Sequence, residues 1–190
     1  MTSRTAASAP GQLALADAPE TSIVHSVEVR RSTRRKATVS ARLERGNLIV
    51  YLPARMSAAE EAVWVGRMRE RLEARERRRR LNGGGDLERR ARELNDKYFG
   101  GTLTWSSLAY VGNQHSRYGS CTVGTGAIRL SDSLASMPAW VRDYVLVHEL
   151  AHLAVPNHSA DFWALVNRYP LTERARGFLI AKGIEAHEEE

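Results

Sequence analysis

Two histidines four residues apart bracket a glutamate in the stretch Val147-His148-Glu149-Leu150-Ala151-His152. On a helix, residues four apart share a face, so His148 and His152 can present imidazole nitrogens to a single ion, and zinc accepts such ligands. Glu149 stands about 100° around the helix from His148, beside the ligands, where a carboxylate can take a proton from water at the metal. An H-E-x-x-H arises by chance in about 1 to 2% of shuffled chains of this composition, so the motif needs its context. Val145-Leu146-Val147 supply that context. They make the helix largely buried, and a buried pair of histidines beside a glutamate is costly to satisfy without a metal.

A catalytic zinc needs a third protein ligand and an open position. His158 ranks first, because Pro156 and Asn157 break the helix and let the chain turn back toward the ion; Glu173 and Asp161 are the rivals. An ion held this way would polarise a scissile carbonyl, with Glu149 as general base. Arg117, Tyr118, His115 and Tyr144 are the candidates for stabilising the oxyanion or contacting substrate, and each also has a plain structural reading. Cys121 reads as a small strand residue, and Trp64, Trp105, Trp140 and Trp163 as core. His25 and His187 read as surface residues.

The elements that must position these groups follow from local pattern. Val27 and Val29, then Ala37, Val39, Ala41 and Leu43, alternate with polar residues at a period of two, and Leu48-Ile49-Val50-Tyr51-Leu52 follows a turn at Arg45-Gly46-Asn47. A small antiparallel N-terminal sheet is expected. Ser57-Ala58-Ala59-Glu60 is a capping box that opens a long helix toward Arg80, and Asn82-Gly83-Gly84-Gly85 ends it as a hinge. Leu87 to Tyr98 has helical spacing, Thr102 to Leu130 reads as two or three strands with turns, and Pro138 starts the helix that carries the histidines. Ser159 and Thr172 are expected N-caps of two last helices.

Several spaced motifs in this order carry a resemblance. Arg117-Tyr118-Gly119-Ser120-Cys121, Gly126-Ala127-Ile128-Arg129-Leu130, Tyr144 through Leu153, and Asn157-His158-Ser159 with Phe162-Trp163 together resemble the YgjP-like metallopeptidase domain, which is similar to the SprT-like and WLM zinc peptidases. The cluster Arg30-Arg31-Ser32-Thr33-Arg34-Arg35-Lys36 and the segment Leu52-Pro53-Ala54-Arg55-Met56-Ser57 extend the likeness over roughly residues 22–182. The resemblance implies an α+β, zincin-like fold, one Zn²⁺ on His148, His152 and His158, Glu149 as catalytic base, and a protein or peptide substrate. Tyr118 stands where that family usually has Trp, a change that keeps an aromatic. The metzincins are rejected, since Val155 replaces their Gly and no Met-turn follows His158.

At 190 residues the chain makes one domain, or one with a small appendage. The expected division is a disordered tail at 1–21, a sheet with a long helix at 22–82, a catalytic domain at 86–184 and an acidic tail at 185–190. No run reaches the roughly 18 apolar residues of a membrane span, and residues 1–20 lack a secretory core segment. Together with a single cysteine this predicts a cytoplasmic protein. The net charge of +6 is uneven: residues 1–100 carry 21 basic and 13 acidic side chains, residues 101–190 carry 7 and 9. Much of the excess sits in Arg30–Lys36 and Arg75–Arg80. A solvated turn and a solvated helix end account for both clusters, yet they leave two alternatives: a basic nucleic-acid-binding protein with a non-catalytic zinc site, and a DNA-associated protease. Structural zinc usually has four closed ligands rich in Cys, which argues against the first.

Overall fold

The apolar run Leu48–Leu52 lies at the centre of a three-stranded sheet in the computed structural model, which describes residues 23–114 and 117–183. The expected tails at 1–21 and 185–190 lie outside the described residues, as do His115 and His187. Strand β3 (Asn47–Pro53) pairs with β1 (Ser26–Ser32) on one side and β2 (Ser40–Glu44) on the other. The β2–β3 pair is antiparallel, joined by a tight turn in which Arg45 and Gly46 both take positive φ (47° and 83°), the conformation that two-residue hairpins favour. The β1–β3 pair is parallel, so the sheet is mixed rather than the antiparallel one expected. With the most buried strand in the middle, β1 and β2 take its two edges, and the link between them carries β2 to the far side of β3. Leu48, Val50 and Leu52 are fully buried and build a small core with Trp64, Met68 and Leu72 of α1 (Ala58–Gly83).

The capping box is formed as the sequence predicts: the Ser57 hydroxyl accepts from the Glu60 N–H, and the Glu60 carboxylate accepts from the Ser57 N–H at 2.9 Å. At the other end of α1 the contacts change partner. Arg78 pairs with Asp132 at 2.8 Å, and the Asn82 amide bonds both the N–H (2.8 Å) and the C=O (3.1 Å) of Tyr110. Leu81 packs against the larger core. These contacts fasten the Gly-rich segment expected to act as a hinge to the second half.

That second half begins with α2 (Asp86–Phe99), followed by a mixed sheet in the order β4-β6-β5: β4 (Ser107–Val111), β5 (Gly119–Thr122) and β6 (Ala127–Ser131). A 3-10 turn leads from β6 to Pro138, which caps α3 (Ala139–His152); α4 (Ala160–Val166) and α5 (Thr172–Ala181) complete the chain. Val141, Leu146, Val147, Leu150 and Ala151 of α3 are fully buried, as the apolar run before His148 predicts. The tryptophans expected in the core pack against it but stay part-exposed; the Trp105 indole N–H, for one, reaches Glu88 at 3.0 Å. Ser159 holds the N-cap position of α4 as expected, without a side-chain cap bond, whereas Leu171 and not Thr172 holds that of α5. The Thr172 hydroxyl instead donates back to the Val166 and Tyr169 carbonyls, closing the preceding turn. No helix among the described residues is long and apolar enough to cross a membrane.

Candidate metal centre

Helix α3 ends at His152, and the chain breaks at Pro156-Asn157 before α4. That break brings His158 back over the helix. The ligand atoms of His148, His152 and His158 all lie within 4.8 Å of one another, and the Nε2 atoms of His148 and His158 are 3.2 Å apart. Each imidazole is part-buried. Neither rival for third place joins the cluster: Glu173 is exposed and paired with Arg176 at 3.1 Å, and Asp161 lies outside the group.

Around the histidines is an aromatic wall made by Phe162 and Trp163, the pair that follows His158 in the family-like motif. Phe162, fully buried, stands 4.4–4.9 Å from all three imidazoles by ring centroid. Trp163 stacks on His158 at 5.9 Å, and the Arg176 guanidinium lies over the Trp163 ring at 4.9 Å. Phe162 and Trp163 follow His158 at a spacing that places them on the first turn of α4, a signal present in the sequence. Arg176 had none, because its approach depends on how α5 folds back.

The environment keeps the His148 and His152 imidazoles neutral, the form that binds a metal. Burial first, then the neighbouring His152, His158 and Arg176, bring the His148 pKa down to about 3. Burial also lowers that of His152, followed by the neighbouring His158, while the Val155 and Pro156 backbone acts against that fall. The His148 Nδ1 is buried without a hydrogen-bond partner, and two Nε2 atoms facing each other share at most one proton. Three converging imidazoles, one of them with an unmet nitrogen, are a donor set that fits Zn²⁺.

Glu149 points the other way, toward the sheet. It is 5% exposed, and its carboxylate occupies the space over Gly119 of β5, where an added β-carbon would stand 2.8 Å from the Glu149 Cδ and Cγ. Burial pushes the Glu149 carboxyl up to about 8, and the charge of Arg117 acts against that rise. The glycine at 119 is therefore part of the site, a role the sequence reading did not assign. Arg117 itself is exposed and donates to the Gln114 side chain at 3.0 Å. Tyr118 is buried beside Gly119, and the buried Tyr144 ring lies 6.1 Å from that of His148. His115 lies outside the described residues.

Comparison with known proteins bears on the second half of the molecule. Residues 93–179 match the family model of the YgjP-like metallopeptidase domain. Among solved structures, the chain is similar to the metallopeptidase zymogen of Pyrococcus abyssi abylysin, with 21% identity and a TM-score of 0.45, over 50% of this chain and 93% of that one. A search of curated proteins found no match.

Proposed function

From a chain whose residues 93–179 match the YgjP-like metallopeptidase domain, we propose a zinc-dependent peptidase in which His148, His152 and His158 hold one Zn²⁺ and Glu149 is the general base. The observation that carries the reading is the convergence of three imidazoles, their ligand atoms within 4.8 Å of one another, with the buried Glu149 next to His148 in the chain. Zinc bound there would supply Lewis acidity to a scissile carbonyl and lower the pKa of water. The protein's own part is proton handling. Burial raises the Glu149 carboxyl to about 8, and once ionised its carboxylate can take a proton from the attacking water and give it to the leaving amine. Gly119 leaves the room for that carboxylate, and Arg117 tunes its charge. Arg117, Tyr118, Tyr144 and His115 remain the groups proposed to contact substrate or its oxyanion. The substrate is a protein or peptide. We read the enzyme as cytoplasmic, since its single cysteine, Cys121, suits a reducing compartment.

Elemental analysis of purified protein tests the site. The expected result is one zinc per chain in the wild type, little in His158→Ala, and full zinc without peptide hydrolysis in Glu149→Gln. A wild type that takes up no zinc when it is offered, or a Glu149→Gln variant with undiminished turnover, overturns the reading.

A further inference from the structure

A second concave surface lies in the first half, outside the family match: a groove of about 830 Å³ between β2 and α1. Arg75, Glu76, Arg79 and Arg80 of α1 form one wall, and Arg42 of β2 stands on the other. Ile23, Leu43 and Leu72 give it an aliphatic lining.

The charges are unbalanced. Glu76 is the one carboxylate among these lining residues, and it is taken by Arg79 at 2.8 Å and Arg80 at 3.6 Å; Arg42 pairs with Glu44 at 3.0 Å through its Nε, and both side chains are half exposed. Arg75 makes no ion pair among the described residues. Arg75 and Arg79 are one helical turn apart on one ridge and both exposed, so two guanidinium forks are presented side by side. Such forks match carboxylates and phosphates alike. The rest of the groove separates the two. Its one ring is the His25 imidazole, which lies against Gly46, whereas the aliphatic side chains of a peptide would fit Ile23, Leu43 and Leu72. The bordering strand adds a third feature. Among the described residues β2 pairs only with β3, so the main-chain N–H and C=O groups of alternate residues face its open outer edge along five residues, about 17 Å.

We propose that this groove binds an acidic peptide segment in extended form, added to the edge of β2 with its carboxylates on Arg75, Arg79 and Arg42 and its apolar side chains on Leu43 and Leu72. The site needs neither zinc nor Glu149, so it stands or falls apart from the hydrolytic reading.

The test is fluorescence anisotropy on the full chain, with a labelled heptapeptide alternating glutamate and leucine. Expected are saturable binding at low salt, at least tenfold weaker binding by the double variant Arg75→Ala with Arg79→Ala, and unchanged zinc content and thermal midpoint in that variant. Both side chains are exposed, so the fold should not depend on them. A matched peptide of glutamine and leucine should bind at least tenfold more weakly. Absence of binding by the wild type, equal binding by the double variant, or equal binding of the glutamine peptide overturns the proposal. So does a single-stranded oligonucleotide that binds more tightly than the acidic peptide and displaces it, which would make the groove a nucleic-acid site.

Discussion

A β-carbon at position 119 would have to stand where the Glu149 carboxylate lies, so the glycine and the glutamate act as one unit. Gly119 does not need glycine for its backbone conformation, because its φ is not positive. Gly119→Ala should therefore fold, with a stability loss of about 1–3 kcal/mol from overpacking, while the carboxylate is driven out of position. A shift of about 1 Å in a reacting group can cost on the order of 100-fold. We expect that loss in peptide hydrolysis with zinc content unchanged; a Gly119→Ala variant at full activity would show that Glu149 is not the base. Cys121, on the same strand, gives a pH-dependent readout of this environment. Burial, then the Glu149 charge, pushes its thiol up to about 11. At pH 8 only about one thiol in a thousand is ionised, so alkylation by iodoacetamide should be slow in the folded protein and rise about tenfold per pH unit up to pH 10. Fast labelling at pH 8, matching that of the urea-unfolded chain, would contradict this burial.

Helix α3 carries the site, and one charge pair joins it to α2 beside the apolar core the two helices share. Asp143, 5% exposed, accepts two bonds from the Arg90 guanidinium at 2.9 and 2.7 Å. Removing the arginine leaves a buried carboxylate unpaired. The full penalty for breaking a buried pair is about 3–5 kcal/mol, and the Arg90 side chain is 41% exposed, so screening reduces it to about 2 kcal/mol. Arg90→Ala should lower the urea midpoint accordingly, and Arg90→Lys should recover only part of it, since an ammonium cannot make both bonds; a midpoint within error of wild type in Arg90→Ala would refute the role. Pairs like this separate what was legible in the sequence from what was not. The α3 helix, the capping box at Ser57 and the return of His158 rest on patterns within a few residues, and all three were readable. The parallel β1–β3 pairing was not, because alternation marks a strand without naming its partner. Nor could spacing show that Arg176 lies over Trp163 or that Gly119 faces Glu149, since each contact joins separate elements. The basic cluster at 75–80 was visible as charge, but the use of Arg78 on Asp132 emerges only once α1 is docked.

Across the whole molecule, α1 belongs to two cores. Trp64, Met68 and Leu72 complete the small core under the first sheet, and Leu81, Arg78 and Asn82 engage the larger one. A 26-residue helix with no fully buried residue draws little stability from its own packing, so its two ends should hold or fail together. Zinc provides a way to test this. A ligand that binds only the folded state adds RT ln(1 + [L]/Kd), about 2.7 kcal/mol at a hundredfold excess over Kd. If the three histidines hold the ion, zinc should raise the thermal midpoint, and a chelator should reverse the rise. If α1 couples the halves, the gain must also reach strands that lie far from the histidines in sequence. Amide exchange at Leu48, Val50 and Leu52 of β3, measured where exchange proceeds through global opening, should slow on zinc addition by the same factor as that at Leu146 and Leu150. In His158→Ala neither set should respond. Slowing confined to Leu146 and Leu150 would mean that the first sheet opens as a unit of its own, and that the Gly84-Gly85 junction acts as a hinge despite the bonds that fasten it.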